Sequence, residues 1–318
     1  MEKENKGFVT KQGNDVPLGV SVQNNMFNFA VSMPGSSSCN LVLFKKGETD
    51  PAEVFPMEAS ASGVFTVAVQ IPKKTGNTDY EYLYQTGESY FCDPYAAKIN
   101  GRENFGSEPK YVRAEVYAKS EEAVPYKRHM LSELVLYKLH VRGFTMGSGS
   151  GVRKKGTYAG LTEKIPYLKE LGINAVLLLP VVEFDELEAA HKNADTPIIG
   201  EPVRTYLGQN KAEEKSKEET EKKSAVKVNY WGYSDAYYFA PKTAYAANKE
   251  KACQEFTQMV EKLHEAGIDV YLEMMFQGDV SQSFMLDCLR YWVEPTVSMG
   301  SILMSSRFLR VWWQVMFI

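Results

Sequence analysis

Cysteine and histidine are scarce in this sequence, with four of each scattered among 318 residues. The cysteines are Cys39, Cys92, Cys253 and Cys288. Neither residue type occurs at the spacing of a metal site, and the cysteines form no disulfide framework. The sequence therefore predicts no bound metal and no other cofactor, and it is typical of a reducing compartment such as the cytoplasm.

Long apolar runs and an excess of positive charge are also missing. No apolar run approaches the ~20 residues that a membrane-spanning helix needs. The polar start, MEKENKGFVTKQGNDVPLG, lacks the apolar centre of a signal peptide. The net charge of -4 argues against an extended nucleic-acid-binding face. We expect a cytoplasmic protein that has neither nucleic acid nor membrane as a partner.

Four segments typical of β-strands occupy the first third of the chain. MFNFAVSM, NLVLFKK, GVFTVAVQI and DYEYLYQT alternate or run in β-branched and aromatic residues, and clusters of Gly, Pro, Ser and Asn separate them. This spacing predicts an all-β, immunoglobulin-like sandwich over residues 10–110. We interpret residues 111–131 as a connector.

A different pattern occupies residues 132–294, where apolar strand segments alternate with amphipathic helix segments. The strands are predicted at 133–140, 173–181 and 268–276, and the helices at 161–172, 249–267 and 283–294. Thr162 is the predicted cap of the first helix, with Gly172 and Gly267 as helix stops. Such alternation indicates parallel βαβ units, in a sheet covered on both faces or closed into a barrel. Residues 211–227 carry 11 charges in 17 residues and are predicted to be a disordered insertion.

Residues 229–246, NYWGYSDAYYFAPKTAYA, hold seven aromatic residues in a predicted loop that follows a strand. Flat aromatic faces pack against the apolar faces of sugar rings, and barrels build their sites from loops at this end of the strands. A loop core made of the same rings is an equally good interpretation of the composition.

Longer motifs point to one enzyme family. They are YKLHVRGFT (137–145), GTYAGLTEKIPYLKELGINAVLLLPVVEFDE (156–186) and VNYWGYSDAYYFAPKTAYA (228–246). These strongly resemble glycoside hydrolase family 13, the α-amylase family, and within it the glycogen debranching enzyme, isoamylase and pullulanase branch. Near the N-terminus, PLGV, FNFAVSMP, YLYQ and FCDPYAAKINGRENFG resemble carbohydrate-binding module family 48. That module precedes the barrel in debranching and branching enzymes, and the whole resemblance covers about residues 10–294.

The resemblance implies an incomplete α/β (TIM) barrel with about three of its eight βα units. It also implies retaining hydrolysis of α-glucans such as glycogen, starch or maltooligosaccharides. Within the aromatic segment it implies substrate binding by Tyr230, Trp231 and Tyr233, and Tyr233 of the W-G-Y motif is the expected sugar-stacking residue.

A retaining mechanism needs two carboxyl groups ~5 Å apart. In the family the nucleophilic Asp follows the fourth strand, the Glu acid follows the fifth, and another Asp follows the seventh, so none of the three has a counterpart here and no catalytic residue is assigned. The third strand also departs from the family's D-x-x-x-N-H motif. EMMFQG places Glu273, Gln277 and Gly278 at the positions of the Asp, Asn and His, which favours a degenerate lineage.

Residues 295–318 do not continue the family pattern. One choice of codons for EPTVSMGS encodes E-A-Y-R-V-D-G-F when a single base is inserted after the codon of Glu294. This is the sequence that the family predicts at the entry to the fourth strand. We therefore interpret residues 295–318 as an out-of-frame tail, with a genuine C-terminal helix or strand as the alternative.

Two functions remain open from the sequence. The first is a fragment of a glycogen-debranching-type α-glucan hydrolase, which is inactive because the catalytic carboxylates lie beyond its end. The second is a non-catalytic α-glucan-binding protein from a degenerate family member.

Overall fold

The computed structural model describes residues 7–71, 79–118, 126–188, 227–277 and 280–293, together with the backbone of 303–304. These residues form two compact units. The first contains the described residues up to 102 and residues 108–118, and the second contains 103–107 and the described residues from 126 onward. Among them, no helix is long and apolar enough to cross a bilayer.

The first unit is made of antiparallel strands in two sheets. Its strands are β1 (Val9–Lys11), β2 (Gly19–Gln23), β3 (Met26–Ser32), β4 (Asn40–Lys45), β5 (Pro51–Pro56), β6 (Glu58–Ala59), β7 (Val64–Gln70), β8 (Tyr80–Thr86), β9 (Ser89–Phe91), β10 (Ile99–Asn100) and β11 (Arg113–Glu115). One sheet has the order β1-β7-β3-β2, with β6 also paired to β7. The other has the order β10-β11-β8-β4-β5, with β9 paired to β8.

All four predicted strand segments are strands in this unit, namely β3, β4, β7 and β8. Their apolar and aromatic side chains form the core, in which Phe29, Leu41 and Tyr84 have no exposed surface. Rings from the two sheets meet there, with the centroids of Phe29 and Tyr82 5.1 Å apart in an edge-to-face contact. Burial of these rings is the main source of stability for such a sandwich.

Asp93 joins the segment after β9 to the buried face of β8. Its carboxylate accepts hydrogen bonds from the Tyr82 hydroxyl at 2.7 Å, the Tyr84 hydroxyl at 3.3 Å and the Tyr95 backbone N–H at 2.8 Å. The carboxyl is fully buried. Burial raises its pKa to about 6 because desolvation of the charged form outweighs the stabilising effect of the three donors.

The second unit contains a parallel sheet with helices. Its strands are β12 (Leu136–Leu139), β13 (Ala175–Leu178), β14 (Val182–Phe184), β15 (Leu187–Glu188), β16 (Lys227–Val228), β17 (Ala236–Pro241), β18 (Asp269–Met274) and β19 (Leu303–Met304). Its helices are α1 (Val141–Met146), α2 (Tyr158–Thr162), α3 (Ile165–Glu170), α4 (Ala252–Glu265) and α5 (Gln282–Val293). The sheet order is β12-β13-β18-β19, and the antiparallel pairs β14–β17 and β15–β16 lie outside it.

The three predicted parallel strands are present as β12, β13 and β18. Every residue of β13 and β18 is buried, as continuous apolar strands predict. β12 differs, because Leu136 is exposed and only Leu139 of this strand is buried. Among the described strands β12 pairs only with β13, so one of its edges has no neighbour there.

The first predicted helix is wrong in its bounds. Instead of one helix over 161–172 there are two short ones, α2 and α3, with Pro166 in the first turn of α3. Proline fits a first turn but not a helix interior, because it lacks an N–H and crowds the preceding turn. The cap is Thr157 rather than Thr162, since its hydroxyl accepts from the Gly160 N–H at 3.0 Å.

The predicted ends of two helices are confirmed. α3 and α4 each end two residues before their glycine, Gly172 and Gly267, and both glycines have positive φ. The charged segment at 211–227 lies outside the described residues except for Lys227 in β16. The tail at 295–318 also lies outside them, apart from Leu303 and Met304 of β19, which pair in parallel with β18.

The buried Asp93 predicts a specific pH dependence. The unfolded chain releases this proton near its ordinary pKa of 3.8, whereas the folded sandwich releases it at about 6. Stability contributed by this group is therefore present at low pH and lost as the pH rises through 6. Between pH 4 and pH 7 the wild type should lose about 2–3 kcal/mol of unfolding free energy relative to Asp93→Asn.

The measurement is urea unfolding followed by near-ultraviolet circular dichroism across that pH range. Asp50→Asn is the matched control, because Asp50 is an exposed carboxyl in the same unit. Parallel pH profiles for the wild type and Asp93→Asn would contradict the expectation.

Candidate functional site

The carboxyl ends of β12, β13 and β18 share one edge of the parallel sheet. His140 directly follows β12, residues 180–186 follow β13, and Glu273 lies near the end of β18. The segment between β16 and β17 contains Tyr230, Trp231 and Tyr233. In parallel α/β sheets this edge is where binding sites are built.

Asn229 shapes the turn that carries Tyr230 and Trp231. Its side-chain oxygen accepts from the Gly232 N–H at 3.1 Å, and its amide donates to the Asp185 carbonyl at 3.1 Å. Gly232 has φ of 82°, and a Cβ there would lie 2.7 Å from the ring of Phe184. Only glycine fits this position without strain, so the W-G-Y motif has a structural reason for its glycine.

His140 connects this turn to the end of β12. Its Nδ1 accepts from the Gly143 N–H at 2.9 Å, so the ring proton is on Nε2, which donates to the Tyr230 carbonyl at 2.8 Å. The Tyr245 hydroxyl lies 3.1 Å from the same Nε2. Burial lowers the pKa of His140, and the nearby Arg142 lowers it further against the effect of the Tyr230 carbonyl. The imidazole is therefore neutral near pH 7.

Aromatic rings surround this histidine. The Tyr230 ring stacks on His140 with centroids 4.5 Å apart, and Trp231 meets both rings edge-on at 5.3 and 5.8 Å. Phe105 lies 6.0 Å from Tyr230. Tyr245 lies 5.5 Å from His140 and is stacked on Phe105 at 6.0 Å. We call these five residues the aromatic platform.

Trp231 is the exposed member of the aromatic platform. Its side chain is 54% exposed, whereas His140 and Tyr245 are buried and Tyr230 is half-buried. A large exposed indole held by edge contacts offers a flat apolar face to solvent. Such a face is suited to a ligand that has both apolar and hydroxylated surfaces.

Tyr233 is held by a different contact. Its hydroxyl donates to Glu273 Oε1 at 2.9 Å, and Lys138 Nζ lies 2.5 Å from the other oxygen of the same carboxylate. Glu273 is buried at the end of β18. Burial raises the pKa of Tyr233 to about 12, and the hydrogen bond and charge of Glu273 act in the same direction. Tyr233 is thus a neutral donor near pH 7.

The structure divides the seven aromatic residues of 229–246 between the two interpretations. Tyr238, Phe239 and Tyr245 are buried as loop core, whereas Trp231 is exposed and Tyr230, Tyr233 and Tyr237 are partly exposed. It groups Tyr230 and Trp231 around His140 and ties Tyr233 to Glu273. Sequence reasoning missed His140 and Phe105. The position of His140 at a strand end was the available signal, while Phe105 had none.

A buried cation, Lys242, joins two carboxylates close to the aromatic platform. Lys242 Nζ has no exposed surface and lies 2.6 Å from Glu183 Oε1 and 2.5 Å from Glu186 Oε1. Glu183 also accepts from the Thr243 N–H at 2.7 Å. Glu186 accepts from the Gly106 N–H, next to Phe105. These bonds join β14, β17 and the segment that carries Phe105.

The described part of the chain contains no candidate metal site, because no three His, Cys, Asp or Glu side chains there are grouped so that they could hold an ion. None of the four cysteines, all of which lie in the described part of the chain, forms a disulfide.

Comparison with known proteins shows what the N-terminal part of the chain is similar to. Residues 17–96 match carbohydrate-binding module 48, the isoamylase N-terminal domain. Isoamylase 3, chloroplastic, of Oryza sativa subsp. japonica is 31% identical over 306 residues, which are 85% of this chain and 35% of the relative. The glycogen operon protein GlgX homolog of Haemophilus influenzae is 27% identical over 360 residues, 90% of this chain and 49% of that protein.

Solved structures share the fold. The crystal structure of apo pullulanase from Paenibacillus barengoltzii matches with a TM-score of 0.65 at 18% identity, covering 92% of this chain and 48% of that one. The present chain thus spans between a third and a half of the length of these proteins. Together the matches confirm the resemblance to the debranching branch of glycoside hydrolase family 13 with an N-terminal module 48.

Replacing Lys242 by Met should destabilise the second unit by about 3–5 kcal/mol, because two buried carboxylates lose their cation. Lys251→Met is the control, since Lys251 is exposed and should change stability by less than about 0.5 kcal/mol. Urea unfolding followed by tryptophan fluorescence measures this, because all four tryptophans lie after residue 230. Equal effects of the two substitutions would contradict the role assigned to Lys242.

Proposed function

We propose that this chain, with its module of family 48 and its isoamylase relatives, is the N-terminal part of a glycogen-debranching-type α-glucan hydrolase. The sandwich over about residues 10–110 is the carbohydrate-binding module, and 111–131 is the connector. Residues 132–294 form the start of an (α/β)8 barrel, with about three of its eight units. The observation that carries this proposal is the aromatic platform at the carboxyl ends of three parallel strands.

The ligand is an α-glucan such as glycogen, starch or a maltooligosaccharide. Trp231 presents its exposed indole to the apolar face of a glucose ring, and Tyr230 supports it from the buried side. Tyr233 stacks on a second ring while its hydroxyl stays bound to Glu273. The protein acts in the cytoplasm without nucleic acid or membrane partners, which agrees with its net charge of -4 and with four cysteines that form no disulfide.

Cleavage of the glycosidic bond requires residues other than Tyr230, Trp231 and Tyr233. The family's catalytic carboxylates follow later barrel strands, and none of their motifs occurs here. The chain therefore binds glucan without cleaving it. Glycosidic hydrolysis with retention needs two free carboxyl groups facing one sugar, whereas Glu273 is already engaged by Tyr233 and Lys138.

A non-catalytic glucan-binding protein is the second candidate function. The observation that favours it is the replacement of the family's strand-three Asp by Glu273, which serves here as an anchor for Tyr233. This candidate predicts binding by the platform and no hydrolysis by any extended form of the protein.

Replacing Trp231 by Ala should weaken glucan binding by roughly tenfold, about 1.4 kcal/mol, because the exposed indole supplies the stacking face. The measurement is isothermal titration of the chain with maltoheptaose. Tyr167→Ala is the matched control, because Tyr167 is an exposed aromatic residue on α3 outside the aromatic platform. A loss of equal size in the control, or none in Trp231→Ala, would overturn the assignment of Trp231.

Hydrolysis separates the two candidate functions. The 318-residue chain should release no reducing sugar from pullulan or glycogen. An extended protein, expressed from the reading frame that restores E-A-Y-R-V-D-G-F after residue 293, should release it if the first proposal is right. Binding without turnover by that protein would support the second. Sequencing the gene from codon 280 beyond the stop decides which frame is genuine.

A further inference from the structure

The neutral His140 occupies a position that the proposed glucan-binding role leaves unexplained. It touches solvent very little, and its ring lies between the end of β12 and the turn at 229–232. Both of its nitrogens are engaged, one with the Gly143 N–H and the other with the Tyr230 carbonyl. A buried imidazole with two directed hydrogen bonds fixes the orientation of both partners.

His140 contacts Tyr230 in two ways, through the backbone carbonyl of Tyr230 and through its ring. The imidazole donates to the Tyr230 carbonyl at 2.8 Å and also stacks on the Tyr230 ring with an interplanar angle of 11°. On the far side, the Tyr230 hydroxyl approaches Gly143 so closely that a Cβ there would lie 2.8 Å from it. Tyr230 is therefore held at its carbonyl and at its ring, and its hydroxyl end leaves no room for a side chain at position 143.

The contacts of Tyr230 and His140 also fix the orientation of Trp231. It is the next residue after Tyr230, and its indole meets the His140 and Tyr230 rings at interplanar angles of 87° and 88°. The Asn229 and Gly232 contacts fix the other end of the same turn. An exposed indole without such contacts would lose binding free energy to rotamer entropy whenever it was ordered by a ligand.

We propose that His140 is a positioning residue that holds the Tyr230–Trp231 turn, so that the Trp231 indole meets an α-glucan in one fixed orientation. The identity of the ligand rests on the proposed function, whereas the positioning role does not. His140 itself needs no contact with the sugar. Its hydrogen bonds matter more than its ring, because they join β12 and α1 directly to the backbone of the turn.

Three substitutions separate these contributions. His140→Gln keeps a donor for the Tyr230 carbonyl and an acceptor for the Gly143 N–H but removes the ring. His140→Phe keeps a ring and leaves both backbone groups without their partner. His140→Ala removes both features. The control is His129→Ala, because His129 is another hydrogen-bonded histidine of the same unit, bound to Asp269 at 2.9 Å.

The rate of amide hydrogen exchange at 229–234 measures how often the turn opens, and it can be measured without any ligand. Exchange at 229–234 should become roughly tenfold faster in His140→Phe and His140→Ala, since each loses about one net hydrogen bond to the turn. In His140→Gln it should stay within about threefold of the wild type. His129→Ala should leave it unchanged. Faster exchange in β13 and α4 to the same degree would show general destabilisation and overturn the proposal, as would unchanged exchange at 229–234 in His140→Phe.

Isothermal titration with maltoheptaose is the second measurement. Affinity should fall roughly tenfold in His140→Phe and be largely rescued in His140→Gln. If the wild type binds maltoheptaose and all three variants bind equally well, the positioning role is wrong. If the wild type does not bind it, the proposed glucan function fails, while the exchange experiment still decides whether His140 holds the turn.

Discussion

Parallel pairing of β12, β13 and β18 is the constraint on which the second unit depends. Parallel strands need long connections, because after each strand the chain must return to the opposite end of the sheet before the next strand can begin. Here α2 and α3 make the first return and α4 makes the second, and α4 packs against β18. The loops that leave the carboxyl ends are then free to carry side chains that the sheet does not need for its own core. His140, Glu273 and the aromatic segment all lie there.

Buried charge holds those loops in place. Lys242, Glu183 and Glu186 form an ion cluster inside the unit, and each carboxylate also accepts a backbone N–H. Buried ion pairs add little stability compared with an apolar core of the same shape, but removing one partner is strongly destabilising because it leaves a buried charge unpaired. In this unit Glu186 of the cluster also accepts from the Gly106 N–H, and so the cluster is bonded to the segment that carries Phe105.

The strands of the sandwich could be predicted because their β-branched and aromatic runs are separated by turn-forming residues, and the parallel strands β13 and β18 because a strand buried on both faces is a continuous apolar run. Gly172 and Gly267 identified helix ends for a similarly local reason. The single helix predicted over 161–172 followed from the amphipathic periodicity of that segment. Pro166 was a local signal against it, because proline fits the first turn of a helix but not its interior. The three substrate-binding residues stay predictions. The contacts around them depend on Glu273 and His140, which are distant in sequence.

The order of strands and helices, the W-G-Y turn and the position of aromatic residues after a strand are local patterns, so they follow from the order of residues along the chain. Which of those aromatic rings are buried, and which one faces solvent, depends instead on tertiary contacts. Tyr238 and Trp231 belong to the same aromatic segment. The Tyr238 ring packs against Phe284 of α5 and is buried, whereas the Trp231 indole contacts the rings of His140 and Tyr230 and is exposed. That difference arises from contacts between residues that are far apart in the sequence, such as Tyr245 and His140, which are 105 positions apart, and no local pattern encodes them.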